Sequence, residues 1–289
     1  MIKKGIILAG GLGTRMSPLT KAVNKQLLPL YDKPLIFYPL SVLMLAGIKK
    51  ILIIVNKGQL SQFRKILPEK NHLGLTIEYK EQLKPLGLPQ AFTIGEKFIG
   101  KDSVSLILGD NFFYGQSLTK NLKKNINLKS GAKIFIHPVK NPHLYGVVNL
   151  DKNKKVINLV EKPKKTKSNL AVTGLYFFDN NVINLTKKLK PSKRGELEII
   201  DLLNFYRKKN MLKAEFIGRG GSWLDTGSIG DFYDASNFIS TIENRQGLKI
   251  ACLEEISLNN NWMNKRQLKN AISFYGKCEY SKYLKSLSN

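Results

Sequence analysis

GIILAGGLGTRMSPLTKAVNKQLLP, from Gly5 to Pro29, is the stretch that decides the fold of this chain. Its apolar residues Ile6 to Ala9 read as a buried strand, and the glycines that follow as a turn off the strand's C-terminal end. A turn with few β-carbons lets backbone N–H groups converge on one spot, which makes an anion site, and the natural anion is a phosphate. Thr14 adds a hydroxyl, Arg15 a forked cation and Lys25 a second cation, a set that suits a triphosphate. The loop is not a P-loop, since no Gly-Lys-Ser/Thr follows. It is not the dinucleotide fingerprint either, since Met16 occupies the place of the last glycine of G-x-G-x-x-G. The glycines alone are equally compatible with a plain turn.

Working outward, Pro34 to Ala46 predicts a helix closed by Gly47, with Pro39 implying a kink or a late start. Ile48 to Val55 reads as a second buried strand, Gly58 to Leu67 as a helix and Leu75 to Tyr79 as a third strand. A helix running to about Phe98 then leads to a fourth strand, Val104 to Leu108. Strands alternating with helices predict an α/β fold: a Rossmann-like, mostly parallel sheet with helices on both faces and the substrate crevice along the strand ends. From Ala132 to about residue 178, short strands with tight turns predict an antiparallel insertion lying over that sheet. Leu212 to Ile217 reads as another strand. Ser228 with Asp231 fits a capping box for a long helix ending near Gly247. The expected organisation is a core of residues 1–240 and a helical tail of residues 241–289.

Composition bounds the function. Of 289 residues, 43% are hydrophobic, ample for a sizeable core. There are 47 lysines and arginines against 21 acids, a net charge of +26. Such a balance raises a nucleic-acid or anionic-membrane binder, but the lysines are scattered as singles and pairs, and no recognition motif is visible. The expectation is a solvated lysine-rich surface, with no nucleic-acid and no membrane partner. Two cysteines, Cys252 and Cys278, have no metal-site spacing. The N-terminal apolar run is too short for a signal-peptide core, so the expected location is cytoplasmic.

Three further places carry chemistry. Gln82 offers an amide that donates and accepts at once, and Gly87 lets the backbone come close to a neighbour, although a plain surface turn fits the same loop. Asp110 follows a buried strand directly, a position for a Mg²⁺ ligand, although an isolated Asp there also suits a turn. Glu161 and Lys162 pair an acceptor for sugar hydroxyls with a cation for phosphate; two solvated charges are the plainer reading. Glu196, Glu198 and Asp201 read as helix-start charges, and Trp223 as a packing residue.

The string LAGGLGTRMSPLT with Asn24-Lys25-Gln26-Leu27-Leu28-Pro29 resembles the signature of the sugar-phosphate nucleotidyltransferases, and Tyr31-Asp32-Lys33-Pro34 is similar to their glucose-1-phosphate thymidylyltransferase branch. Tyr145-Gly146-Val147-Val148, Glu161-Lys162-Pro163, Val172-Thr173-Gly174 and Trp223-Leu224-Asp225-Thr226-Gly227 extend the likeness over nearly the full length. The resemblance implies transfer of dTMP from dTTP to glucose 1-phosphate with release of pyrophosphate, the supply step for dTDP-rhamnose and surface polysaccharide. It implies nucleotide binding at Leu8, Ala9, Gly10, Gly11, Gly13, Thr14, Arg15, Lys25, Gln26, Gln82 and Gly87, the last two facing the pyrimidine base. Sugar-phosphate binding falls to Gly109, Asn111, Tyr145, Gly146, Glu161, Lys162, Val172 and Thr173. Mg²⁺ is assigned to Asp110 and Asp225, and catalysis to Arg15, Lys25 and Asp110. A homotetramer with an inhibitory dTDP-sugar site at the tail is also implied. The chain departs from the pattern at Lys84, Leu86 and Pro89, and at Asn259-Asn260-Asn261, where relatives usually carry basic residues. Uridylyl transfer is the competing activity, because uracil differs from thymine by one methyl group.

Overall fold

A computed structural model describes residues 1–288. Lys4–Ala9 lies at the centre of a nine-stranded sheet, parallel to Lys50–Asn56 on one side and Val104–Leu108 on the other, with Thr76–Gln82 beyond Lys50–Asn56. Ile51 to Val55 and Ile6 to Ala9 are buried on both faces, which is why they read as unbroken apolar runs. The registers Ala9↔Val55 and Asn56↔Gln82 bring the C-terminal strand ends to one edge of the sheet. Gly10, Asn56 and Gln82 follow or close those strands there.

The helix expected from Pro34 begins late, at Phe37–Leu45. Pro39 sits in its first turn, where backbone N–H groups have no helical partner to lose, so no kink is needed. The third strand runs further than expected, to Gln82. The helix expected to reach Phe98 is two short ones, Gln90–Ile94 and Glu96–Ile99, divided at Gly95.

The middle of the chain differs from expectation. It is not a layer over the sheet but an extension of it. Leu170–Phe178, buried along nearly its whole length, pairs antiparallel with Val104–Leu108, with Ala132–Pro138 and, at one position, with Gly146–Leu150. A strand buried on both faces has backbone groups to satisfy on both edges, and the main sheet supplies one edge. Leu212–Phe216 joins in parallel beside Ala132–Pro138. A second small sheet pairs Asn111–Gly115 with Gly221–Asp225 in antiparallel register.

The Ile229–Gln246 helix opens with the Ser228–Asp231 capping box and closes at Gly247 in the left-handed region. It runs across residue 240, so the backbone has no seam at the expected boundary. Leu253–Asn259, Lys265–Tyr275 and Glu279–Ser286 form the tail. No helix among the described residues is long and apolar enough to cross a membrane.

Candidate active site

The first strand delivers the glycine turn to the wall of a cavity of ≈ 310 Å³. Of the residues expected there, Leu8, Gly10, Arg15, Gln26, Asp110, Asn111, Tyr145, Gly146, Glu161, Lys162, Val172 and Asp225 all line it. The small sheet explains how the two distant aspartates meet. Asp225 pairs in register with Asn111, and Thr226 donates both its backbone N–H and its hydroxyl to the Asp110 carbonyl.

Lys25 is almost fully buried, and its ammonium lies 2.8 Å from Asp110 Oδ2. Burial opposes ionisation of Asp110, yet the Lys25 charge and the Asn111 amide hold its pKa below the ordinary carboxylate value. Asp225 goes the other way. Burial, and then the Asp110 charge, push it up to about 7, with Lys25 and Arg15 limiting the rise. One carboxylate stays charged and its neighbour holds a proton near neutrality, an arrangement that a cation would relieve. Arg15 reaches the same turn: a β-carbon on Gly227 would lie 3.1 Å from its Nη2.

On the opposite wall Arg194 donates to Glu198 at 2.8 Å and lies 3.4 Å from Glu161. Burial raises the Glu161 pKa, opposed by Lys162 and Arg194. Glu198 stands at the N-terminus of Ile199–Lys208, as expected of a helix-start charge, but it also faces the cavity. Trp223 packs as expected: its indole N–H donates to Asn111 Oδ1 at 2.6 Å, and its ring meets Tyr145 edge-on.

The remaining expected residues support the cavity from outside its lining. Ala9 is wholly buried, and its carbonyl accepts from Asn24. Gly109 donates its N–H to Leu8, and a β-carbon on it would lie 2.9 Å from Gln26 Cγ. Gly13 adopts the left-handed conformation and Thr14 is exposed. Gln82 lies under Gly10. Three assignments need correction. Gly11 does not offer a free N–H: it donates to Asn56 Oδ1 while Asn56 Nδ2 donates to the Gly11 carbonyl, both at 2.8 Å. The close approach that requires a glycine at position 87 is to the chain itself, because a β-carbon there would lie 2.1 Å from the Leu197 carbonyl oxygen. Thr173 faces the core and donates to Phe135, since side chains alternate along a strand and its neighbours Val172 and Gly174 face the cavity.

Sequence reasoning missed Asn56, Gln90 and Arg194. Asn56 ends a buried parallel strand on the crevice edge, which could have flagged it. Arg194 sits in a lysine-rich loop with no motif around it. One atom stands out on the cavity wall: Gln26 Oε1 is buried and has no hydrogen-bond partner among the described residues. Such an atom costs free energy unless a ligand supplies a donor.

Sequence and structure comparisons agree on the kind of protein this resembles. A sequence model of the nucleotidyl transferase family matches residues 4–242. A glucose-1-phosphate thymidylyltransferase of Neisseria meningitidis is 50% identical over 281 residues, covering 97% of this chain and 98% of its own. Another, from Xanthomonas campestris, is 48% identical over 286 residues, covering 99% and 97%. Among solved structures, a UDP-glucose pyrophosphorylase complexed with UDP-glucose superposes with a TM-score of 0.73 at 28% identity, covering 84% of this chain and all of the other.

Proposed function

This chain belongs to the nucleotidyl transferase family, and on that premise we propose that it transfers dTMP from dTTP to glucose 1-phosphate, releasing pyrophosphate. The observation that carries the proposal is the gathering of Arg15, Lys162, Asp110 and Asp225 on one cavity, with Lys25 paired to Asp110 just behind its wall. Two polyanions must be brought together, and charge must be neutralised where it builds, at the α-phosphorus and on the leaving group. No covalent intermediate is needed, and a sugar phosphate is already ionised at pH 7, so no general base is required.

Arg15, whose planar fork matches phosphate oxygens bidentately, holds the departing pyrophosphate beside the Gly10–Gly13 turn. Lys25 faces the transferring phosphoryl group from its place beside Asp110. Lys162 holds the attacking phosphate, and Glu161 accepts from sugar hydroxyls. Gln26 Oε1 receives a donor from the nucleotide.

The residues fit a divalent cation. Asp110 and Asp225 supply two adjacent carboxylates, one of them protonated near neutrality for want of a counter-charge, and Mg²⁺ takes one or two carboxylates alongside phosphate oxygens. Bound there, Mg²⁺ would withdraw charge from the reacting phosphates. Asp110 and Asp225 would be the protein's share of the ligand set.

The proposal is tested by incubating the protein with glucose 1-phosphate, Mg²⁺ and each of dTTP, UTP and dCTP, and measuring pyrophosphate. Release with dTTP that requires the sugar phosphate supports it; none with any nucleotide refutes it. Assembly as a tetramer and inhibition by a dTDP-sugar at the tail remain part of the proposal on the sequence resemblance alone, to be read by light scattering and by titration with dTDP-glucose.

A further inference from the structure

A backbone N–H can only donate. That of Leu86 donates to Gln90 Oε1 at 3.1 Å, so this end of the Gln90 amide is its oxygen. The same oxygen accepts from Gln82 Nε2 at 2.6 Å. Gln82 therefore spends its NH₂ on Gln90 and turns its carbonyl oxygen the other way. That oxygen lies behind Gly10, itself a residue of the cavity wall: a β-carbon on Gly10 would stand only 2.2 Å from it. Only a glycine leaves it room. Among the described residues nothing donates to it.

A glutamine amide is ambiguous by itself, because rotating it by half a turn exchanges acceptor for donor. Here one peptide N–H removes the ambiguity through two side chains. We propose that Gln90 is a positioning residue that fixes the polarity of the Gln82 amide, so that the site presents an acceptor and selects pyrimidines carrying an N–H at that edge. Thymine and uracil bring the imide N3–H. Cytosine brings a bare N3 lone pair, which faces the Gln82 oxygen acceptor to acceptor. The relay thus separates imide pyrimidines from cytosine and does not separate thymine from uracil. This rests on the expectation, drawn from the sequence resemblance, that Gln82 meets the base of the nucleotide.

Two substitutions distinguish positioning from simple packing. Gln90→Leu keeps the approximate length and removes the acceptor, freeing the Gln82 amide to rotate. Gln90→Glu keeps an oxygen for both donors. kcat/KM is measured for dTTP, dUTP and dCTP, with KM for glucose 1-phosphate as a control, and equilibrium binding of dTTP and dCTP is measured alongside. Gln90→Leu is expected to lower the dTTP-to-dCTP preference by ~10-fold or more, the scale set by losing one oriented hydrogen bond against a mispaired one. Its KM for glucose 1-phosphate should not move, and Gln90→Glu should keep the preference. Where Gln90→Leu does not fold, Gln90→Met, unbranched and of similar reach, takes its place. An unchanged preference in the acceptor-free variant, or its loss in Gln90→Glu, overturns the inference. If the unaltered protein releases no pyrophosphate, the functional reading fails, and the binding preference in the variants still decides the role of Gln90.

Discussion

At the scale of single residues, the Asp110–Asp225 pair has an energetic consequence that activity need not report. A carboxyl whose pKa rises on folding, from 3.8 to about 7 for Asp225, binds more protons folded than unfolded between those values. Stability is then greatest below the lower value and declines as pH climbs to 7. Asp225→Asn should therefore raise the melting temperature of the metal-free protein at pH 8 and leave it nearly unchanged at pH 4. Thermal scans in EDTA read this directly, and an equal gain at both pH values would contradict it. Lys25 carries the complementary prediction. Replacing it with Met removes the cation nearest Asp110, and turnover should fall by ~10²-fold or more, the scale of a lost charge-stabilising donor. Turnover within a few-fold of the parent would remove Lys25 from its role.

At the scale of elements, loops far apart in sequence are tied by backbone. Gly87, at φ +105°, bridges to Leu197, joining the loop that ends in Gln90 to the loop that carries Arg194. Gly87→Ala forces a side chain into an unfavourable conformation and against a carbonyl, and should cost roughly 1–3 kcal/mol. Urea titration measures the cost; a loss below the error of the method would show that the two loops yield. Asn56 is the matching clasp on the phosphate turn. Asn56→Ala should raise KM for dTTP several-fold, the scale of ~1 kcal/mol for a lost pair of hydrogen bonds, while KM for glucose 1-phosphate stays put. The pattern of what could be read from the chain follows from range. Buried parallel strands announce themselves by local apolar runs such as Ile51 to Val55, and the Ser228 cap by a spacing of three residues. The pairing of Asn111–Gly115 with Gly221–Asp225 joins segments about a hundred residues apart, and no local pattern encodes it. The side assignment of Thr173 was within reach, since strand alternation alone puts it opposite Val172 and Gly174.

At the scale of the whole molecule, the question is whether the tail is an appendage or part of the core. The family match ends at residue 242, which invites the first answer. The packing supports the second. Leu253, Leu268, Ala271 and Leu284 share one buried cluster with Ile7, Ile51 and Leu43 of the sheet and its first helix. At the seam lies Glu254, with no exposed surface. It accepts from the hydroxyls of Tyr280 at 2.6 Å and Tyr275 at 2.9 Å, and lies 2.9 Å from His72 Nε2 in the loop before Thr76–Gln82. Removing a buried acceptor leaves every donor around it unpaired, so Glu254→Ala should cost ~3–5 kcal/mol, while Tyr280→Phe should cost only ~1 kcal/mol. Because the tail and the sheet share that cluster, both variants should shift a single cooperative unfolding transition, monitored in urea by far-ultraviolet circular dichroism and by Trp223 and Trp262 fluorescence. Two transitions, with Glu254→Ala moving only one of them, would mean that the tail folds by itself and that the ties at Glu254 dock it without joining it to the core.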